Sequence, residues 1–237
     1  MSALVTMDVV LDPDEKWLYR VGGISAWILV IAYLLTFPIY ARVGDAPASG
    51  VETRLVYFAH HAAGWWAILG LMVVTDLLYV PIFLSLYQAL KEVGKNSMRL
   101  AAACIGLFVI LDLVLTWTAF AVLIAGGGKY AASTTDVQKT AILATAAYAS
   151  AILHSPLLGI YAIFIPSLGI LLAGRVMLKG VFNQATAHIA LAVGVTGILF
   201  MGSYFVSALG IFRIINALLV TIWHLFVGFR LCRLGRQ

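Results

Sequence analysis

The chain has 237 residues, of which 63% are hydrophobic and only 11% are charged, and its mean hydropathy is +1.03. A soluble domain has about 45–50% apolar and about 25% charged residues, so this chain lacks the polar surface that a water-soluble fold requires. The same composition excludes disordered, collagen-like and disulfide-scaffold classes. The net charge of +5 comes from basic residues in short loops between apolar runs, so we expect no nucleic-acid partner. The composition predicts an all-α integral membrane protein with lipid partners.

The N-terminal segment, residues 1–18, is polar and acidic. A secretory signal instead begins with basic residues and has an apolar run of about 7–15 residues. The first apolar run here is longer and follows a segment of the opposite charge. We therefore interpret residues 19–41 as a first spanning helix that is retained.

Six apolar runs reach the length of about 20 residues that a helix needs to cross a bilayer. They comprise residues 19–41, 64–90, 99–125, 157–178, 187–209 and 211–230. They predict one transmembrane bundle over residues 19–230, followed by a basic cytoplasmic tail at residues 231–237. Three consecutive glycines at positions 126–128 predict a flexible outer loop after the third span.

Residues 137–155 are ambiguous, because their apolar stretch from Ala141 to Leu153 has only 13 residues. A stretch of this length is more typical of a buried or interfacial helix than of a span. We interpret it as a helix at the outer face that leads into the fourth span. The alternative is a seventh span.

The distribution of basic residues favours six spans with both termini in the cytoplasm. This topology places ten Lys and Arg residues inside and five outside, whereas seven spans would give nine and six. Cytoplasmic loops carry the excess of basic residues. In both topologies the basic residues Arg230, Arg233 and Arg236 place the C-terminus inside.

Several short motifs resemble those of a known family. They are Leu86-Tyr87-Gln88-Ala89-Leu90 at the end of the second span, Leu153-His154-Ser155 before the fourth, and Leu171-Leu172-Ala173-Gly174 within it. In these motifs and in the order of its spans, the chain resembles the bacterial six-helix membrane family called domain of unknown function 4386. The resemblance implies a multi-pass protein of the bacterial inner membrane. It implies no activity and no site residues, because the family has none assigned.

Asp76 and Asp112 are the only charged side chains deep within the predicted spans, and both lie at the centres of neighbouring helices. An Asp at this depth costs about 2.5–3.5 kcal/mol on insertion scales. We therefore expect at least one carboxyl to be protonated, or a cation to bind between them. Tyr79 and Thr116 follow the two Asp residues at helical spacing and are candidate hydrogen-bonding partners. Pro81 frees a backbone carbonyl beside Asp76, a feature typical of ion and substrate sites.

The sixth span carries a polar stripe, in which Arg213, Asn216, Val220 and His224 share one helix face. Thr221 borders that face. The stripe runs from the outer end of the span to its middle and predicts a wet or protein-lined path.

His60, His61 and His154 form a second polar group, at the outer face. One of the first two together with His154 provides a weak candidate ligand set for zinc or haem. Their spacing matches no metal signature, so we expect no tightly bound metal or haem there and assign no cofactor.

These residues favour a small proton-linked or cation-linked transport or permeation protein that uses Asp76, Asp112 and the polar stripe. One alternative is a membrane-embedded enzyme in which Asp76, Asp112 and His224 bind a metal or act as acid and base. Another is a non-catalytic or cofactor-holding subunit of a membrane complex, and a homo-oligomer is also open. The buried carboxyls could equally be structural, joining helices through hydrogen bonds.

Overall fold

The structure, a computed structural model, describes residues 15–48 and 50–236. Within this part of the chain about 90% of the residues are helical and none forms a strand, in agreement with the predicted all-α class. Five segments are long and apolar enough to cross a membrane. They are Lys16–Val43, Ala62–Ala132, Pro156–Met177, Gln184–Tyr204 and Ser207–Leu234. Most of the predicted acidic segment 1–18 lies outside the described residues.

Nine α-helices follow one another in the described chain. They are α1 (Lys16–Val43), α2 (Val51–His60), α3 (Ala62–Leu111), α4 (Thr118–Ala132), α5 (Asp136–His154), α6 (Pro156–Gly159), α7 (Ile165–Met177), α8 (Gln184–Met201) and α9 (Phe212–Leu234). Two π-helical segments interrupt this order, at Asp112–Trp117 before α4 and at Ile160–Phe164 before α7. Two 3₁₀ turns, Gly202–Tyr204 and Ser207–Ile211, connect α8 to α9.

The longest apolar segment folds back on itself at Gly94, whose backbone is not helical (φ −161°, ψ 61°). Residues before and after this bend meet in pairs. The ring centroids of Tyr79 and Phe108 are 5.3 Å apart, and Trp117 is hydrogen-bonded to Asp76. The two parts of the segment, before and after Gly94, are therefore antiparallel, and we call them its first and second arms. The bend falls where charged residues separate two apolar runs, so the polar stretch lies at one end of the bundle.

The start of α1 and the end of α9 meet at one end of the bundle, where the side-chain Nε of Arg20 donates a hydrogen bond of 2.8 Å to the carbonyl of Gly235. We call this the Arg20 end, and the opposite one the α2 end. Between them α1 packs against α3 and α9, while α7 packs against α3 and α8. The buried core of these helices includes Phe83, Leu86 and Trp223.

A second apolar core lies at the α2 end, where α2 and α5 pack on α4. The predicted flexible loop at residues 126–128 is wrong, because all three glycines lie inside α4. A Cβ atom on Gly127 would come within 2.6 Å of the Leu55 carbonyl oxygen and 2.8 Å of the Ala59 amide nitrogen. The glycine allows the backbones of α2 and α4 to approach closely, as small residues commonly do between membrane helices.

The helix corresponding to the ambiguous region is α5, and it is not among the spanning segments found in the described chain.

Two predicted boundaries also need correction. The fifth predicted span, 187–209, corresponds to α8 and begins at Gln184 rather than 187. It is broken after Tyr204, so residues 207–209 belong with the segment that continues into α9. The last helix extends to Leu234, so the predicted tail 231–237 begins as helix.

Candidate functional site

The two predicted carboxyl groups lie together in the interior. Asp76 is on the first arm of α3 and Asp112 begins the first π segment; their exposed fractions are 3% and 5%. The contacts Tyr79–Phe108 and Asp76–Trp117 set a register of the two arms in which Asp76 and Asp112 are neighbours. The ring Nε1 of Trp117 donates a hydrogen bond of 2.6 Å to Oδ2 of Asp76. Asp112 Oδ1 is buried without a hydrogen-bonding partner in the described structure.

The π segment explains why Trp117 reaches this site. In a π-helix the backbone hydrogen bonds join residues five apart, so each turn is wider than an α-helical turn. Asp112 and Trp117 are separated by five positions and both face Asp76. An α-helix would direct residues four apart toward the same side. The α-helical spacing predicted from the sequence does not direct Trp117 to this side, so Trp117 was not among the predicted site residues.

Thr116 and Tyr79, the predicted partners of the carboxyls, make their hydrogen bonds elsewhere. The Thr116 hydroxyl donates to the Tyr161 hydroxyl at 3.2 Å, although it also lies near Asp112. The Tyr79 hydroxyl pairs with the Tyr33 hydroxyl at 3.4 Å. Tyr161 belongs to the second π segment, so the two π segments meet at the Thr116–Tyr161 contact. Tyr33 and Tyr161 were not predicted.

No basic group compensates the carboxyl pair within the described residues. The single ion pair found there is Lys91–Glu15, with 3.4 Å between Nζ and Oε1. No Lys, Arg or His nitrogen of the described chain therefore lies within 4.0 Å of either buried carboxyl. One indole N–H is their only well-formed donor from a side chain.

A cavity of about 330 Å³ adjoins this site. Its walls come from α1, α3, α7 and α9, and they are mostly apolar, with Phe37 and Met72 among the lining residues. Tyr33 and Tyr79 line the cavity, whereas Asp76 and Asp112 do not. The two tyrosines therefore belong to the cavity wall, and Tyr79 follows Asp76 by about one helical turn on α3.

The predicted stripe on α9 lines the same cavity along most of its length. Arg213, Asn216, Val220 and Thr221 are lining residues, with Arg213 exposed at the α2 end. Asn216 Nδ2 is hydrogen-bonded to three groups, namely the Ser167 hydroxyl at 3.1 Å, the Val193 carbonyl at 2.8 Å and the Thr196 hydroxyl at 3.0 Å. Asn216 therefore joins α7, α8 and α9.

His224 lies one turn beyond the cavity and is completely buried. Its Nδ1 is 2.8 Å from the Val220 carbonyl oxygen, which accepts a hydrogen bond from it. Its ring packs edge-on against Tyr79, with 4.9 Å between centroids, and against Trp223. Nε2 has no partner among the described residues, and no hydrogen bond connects His224 to the carboxyl pair. Among the described residues, His224 therefore makes no direct contact with the two carboxyls that the enzyme alternative would use together with it.

The three histidines at the α2 end do not converge. His154 is hydrogen-bonded to Arg54, with 3.0 Å between Nε2 and Nη2. The positive charge of the guanidinium group would repel a metal ion bound to His154. His61 lies against Tyr57, whose carbonyl is 2.9 Å from its Nδ1, while His60 is exposed. Across residues 15–48 and 50–236, no three His, Cys, Asp or Glu residues form a group that could hold a metal ion.

The fold and this site define a polytopic helical membrane protein with a buried carboxyl pair beside an apolar cavity. No family model, curated protein or solved structure matches the chain. The resemblance to domain of unknown function 4386 therefore stays a prediction, and function is argued from the residues of the site.

Proposed function

We propose that this protein is a small transport protein of the bacterial inner membrane, in which Asp76 and Asp112 share a proton or a cation. The observation that carries this proposal is the pair of adjacent buried carboxyls, which have one indole donor and no basic partner within residues 15–48 and 50–236. Two carboxylates in such surroundings repel each other and lack hydration. A proton shared between them, or a small cation bound by both, removes that repulsion.

The cavity supports a role in transport. Its volume of about 330 Å³ lies at the lower limit of typical small-molecule pockets, which are about 300–1,000 Å³. Its apolar wall, with Arg213 at the α2 end, suits a small apolar molecule that carries an anionic group. The Tyr33–Tyr79 hydroxyl pair offers a route for a proton between the cavity and the carboxyls. Movement of the anion together with a proton would be electrically neutral.

Proton flux tests this proposal. We expect proteoliposomes containing the protein and an internal pH-sensitive dye to acidify when a pH gradient is imposed. Asp76→Asn and Asp112→Asn should each abolish this flux, because an amide cannot accept and release the proton. Asp136→Asn, at the exposed start of α5, is the matched control and should retain it. Equal flux in all three variants would contradict the proposal.

Infrared spectroscopy tests the shared proton directly. At neutral pH, without bound cation, the wild type should show a carboxylic-acid stretch that at least one of the two Asn variants lacks. Because the pair titrates as a unit, the band belongs to the pair rather than to one residue. If neither variant loses such a band and no cation binds, the shared site fails.

The proposal includes six spans with both termini in the cytoplasm, since the bend at Gly94 lets residues 62–132 cross twice. Cysteines introduced at Lys95 and Arg236, in a background with Cys104 and Cys232 replaced by serine, distinguish the topologies. With six spans both cysteines react with an impermeant reagent from the same side of the membrane. Labelling from opposite sides would support seven spans instead.

A further inference from the structure

A second cavity, of about 660 Å³, lies at the Arg20 end of the bundle. It is formed by α1, by the connection before α8 and by the last turns of α9. Its charged lining residues are Arg230, Arg233 and Arg236, and its apolar ones include Trp27 and Phe229. This cavity shares no lining residue with the one beside the carboxyl pair.

The charges around this cavity are all positive. Arg230 and Arg233 lie three positions apart near the end of α9, so they share one face of that helix, and both line the cavity. No carboxylate oxygen of the described residues lies within 4.0 Å of any of the three arginines. Three clustered cations with no acidic neighbour among the described residues are costly to hold together, and an anion bound among them would lower that cost.

Two buried hydrogen-bond donors at the cavity also have no partner in the described part of the chain. They are Nε of Arg230 and Nε1 of Trp27. A buried donor without a partner costs about 1–3 kcal/mol. An acceptor oxygen bound in the cavity would satisfy each of these donors that it reaches. The first turn of α8, at Asn183 and Thr186, lines the same cavity and adds the partial positive charge of a helix N-terminus.

The apolar side of the cavity faces the bilayer. Phe229 is 59% exposed and Phe226 is 38% exposed on a helix that is apolar enough to span the membrane. The Trp27 and Phe229 rings meet edge-on, with 5.2 Å between their centroids. The cavity thus combines clustered arginines near the helix end with aromatic rings toward the membrane interior, which matches the two parts of a phospholipid. Basic pockets between membrane helices bind anionic headgroups.

We propose that this cavity binds the phosphate of an anionic membrane lipid. Arg230, Arg233 and Arg236 surround the phosphate, and one acyl chain lies against Trp27 and Phe229. The site is independent of the carboxyl pair and of the proposed transport.

Native mass spectrometry of the full chain in neutral detergent tests this site. We expect the wild type to retain one dioleoyl phosphatidylglycerol in preference to dioleoyl phosphatidylcholine. Each of R230Q, R233Q and R236Q should weaken phosphatidylglycerol binding about fivefold, the equivalent of about 1 kcal/mol for each basic residue. R99Q is the matched control, because Arg99 is exposed and does not line the cavity. Circular dichroism verifies that each variant remains folded.

Two results would overturn the proposal. One is phosphatidylglycerol binding to the triple Arg→Gln variant as tightly as to the wild type. The other is displacement of the lipid by inorganic phosphate at equal concentration, which would identify a free phosphate as the ligand. A second measurement uses phosphatidylglycerol with brominated acyl chains, which should quench a fluorescence component that is absent from W27F. Equal quenching of the wild type and W27F would place the acyl chain elsewhere.

Discussion

Trp117 donates its ring N–H to Asp76 across the two arms of the hairpin that bends at Gly94. The two residues are 41 positions apart in sequence, and the π segment that ends at Trp117 brings them within 2.6 Å. This bond couples the conformation of the backbone to the carboxyl pair. A transition of residues 112–117 from π-helix to α-helix would withdraw the donor from Asp76.

Replacing Trp117 with Phe should destabilise the protein by about 1–3 kcal/mol, because it leaves the Asp76 carboxylate without its donor. The phenyl ring retains much of the packing against Phe120, whose ring centroid is 5.7 Å from that of Trp117. The free energy of unfolding in mixed micelles measures the loss. Trp66→Phe is the control, since Trp66 is 45% exposed and we expect little change there. Equal stability of both variants would show that the indole bond contributes nothing.

Removing the hydroxyl of Tyr33 or Tyr79 should slow proton flux without unfolding the protein. The two hydroxyls are 3.4 Å apart in the wall of the cavity, and each Tyr→Phe variant interrupts the proposed proton route to the carboxyls. A neutral hydrogen bond contributes only about 0.5–1.5 kcal/mol to stability, so folding should persist. Tyr148→Phe, at a site that is 72% exposed, should retain wild-type flux in the same vesicles. Unchanged flux in Y33F and Y79F would exclude the route.

The burial of the two carboxyls could be predicted from the sequence, but their hydrogen-bonding partners could not. Asp76 and Asp112 stand out because a charge at the centre of an apolar run is costly. Trp117 carries no such signal, because it lies in an apolar run where a tryptophan needs no special explanation. Its role depends on one π turn, which changes the spacing of side chains and leaves no clear trace in the pattern of apolar residues.

For helix ends and close helix contacts, too, the sequence predicted one part and the fold determines the rest. Apolar length predicted long apolar helices, of which five in the described chain could cross a membrane. The run of glycines at 126–128 wrongly predicted a loop, because glycine is a poor helix former. The structure places them in α4, where contact with α2 offsets that propensity. Lateral contacts between helices are properties of the fold, so a single sequence does not display them.

Arg54→Lys should loosen the connection between α1 and α2. Arg54 is 7% exposed, and its guanidinium donates to the carbonyls of Pro47 and Ala48 and to the side chains of Ser150 and His154. A lysine keeps the charge but lacks the planar fork that makes these bonds together.

Limited proteolysis should therefore cleave the connection at residues 44–50 faster in R54K than in the wild type, since local opening governs such cleavage. R42K changes an exposed arginine of the same helix end and should be cleaved at the wild-type rate. If R54K were as resistant as R42K, the contacts of Arg54 would not hold this connection in place.

Alanine at two adjacent positions, Gly127 and Gly128, should change stability in opposite directions. At Gly127 the new methyl group would meet backbone atoms of α2, which cannot rotate away as a side chain does. The helices must separate, at a cost of about 1–3 kcal/mol. At Gly128 no atom lies within 4 Å of the added carbon. Because alanine is the better helix former, G128A should stabilise the protein by about 0.5–1 kcal/mol.

Thermal unfolding in detergent, monitored by circular dichroism, compares the two variants under identical conditions. G127A should unfold at a lower temperature than the wild type, and G128A at the same or a higher temperature. A flexible loop at residues 126–128, as the sequence alone indicates, would give both substitutions the same small effect. The difference in unfolding temperature between G127A and G128A therefore reports whether α2 packs closely on α4. Similar unfolding temperatures for both variants would contradict the close approach at Gly127.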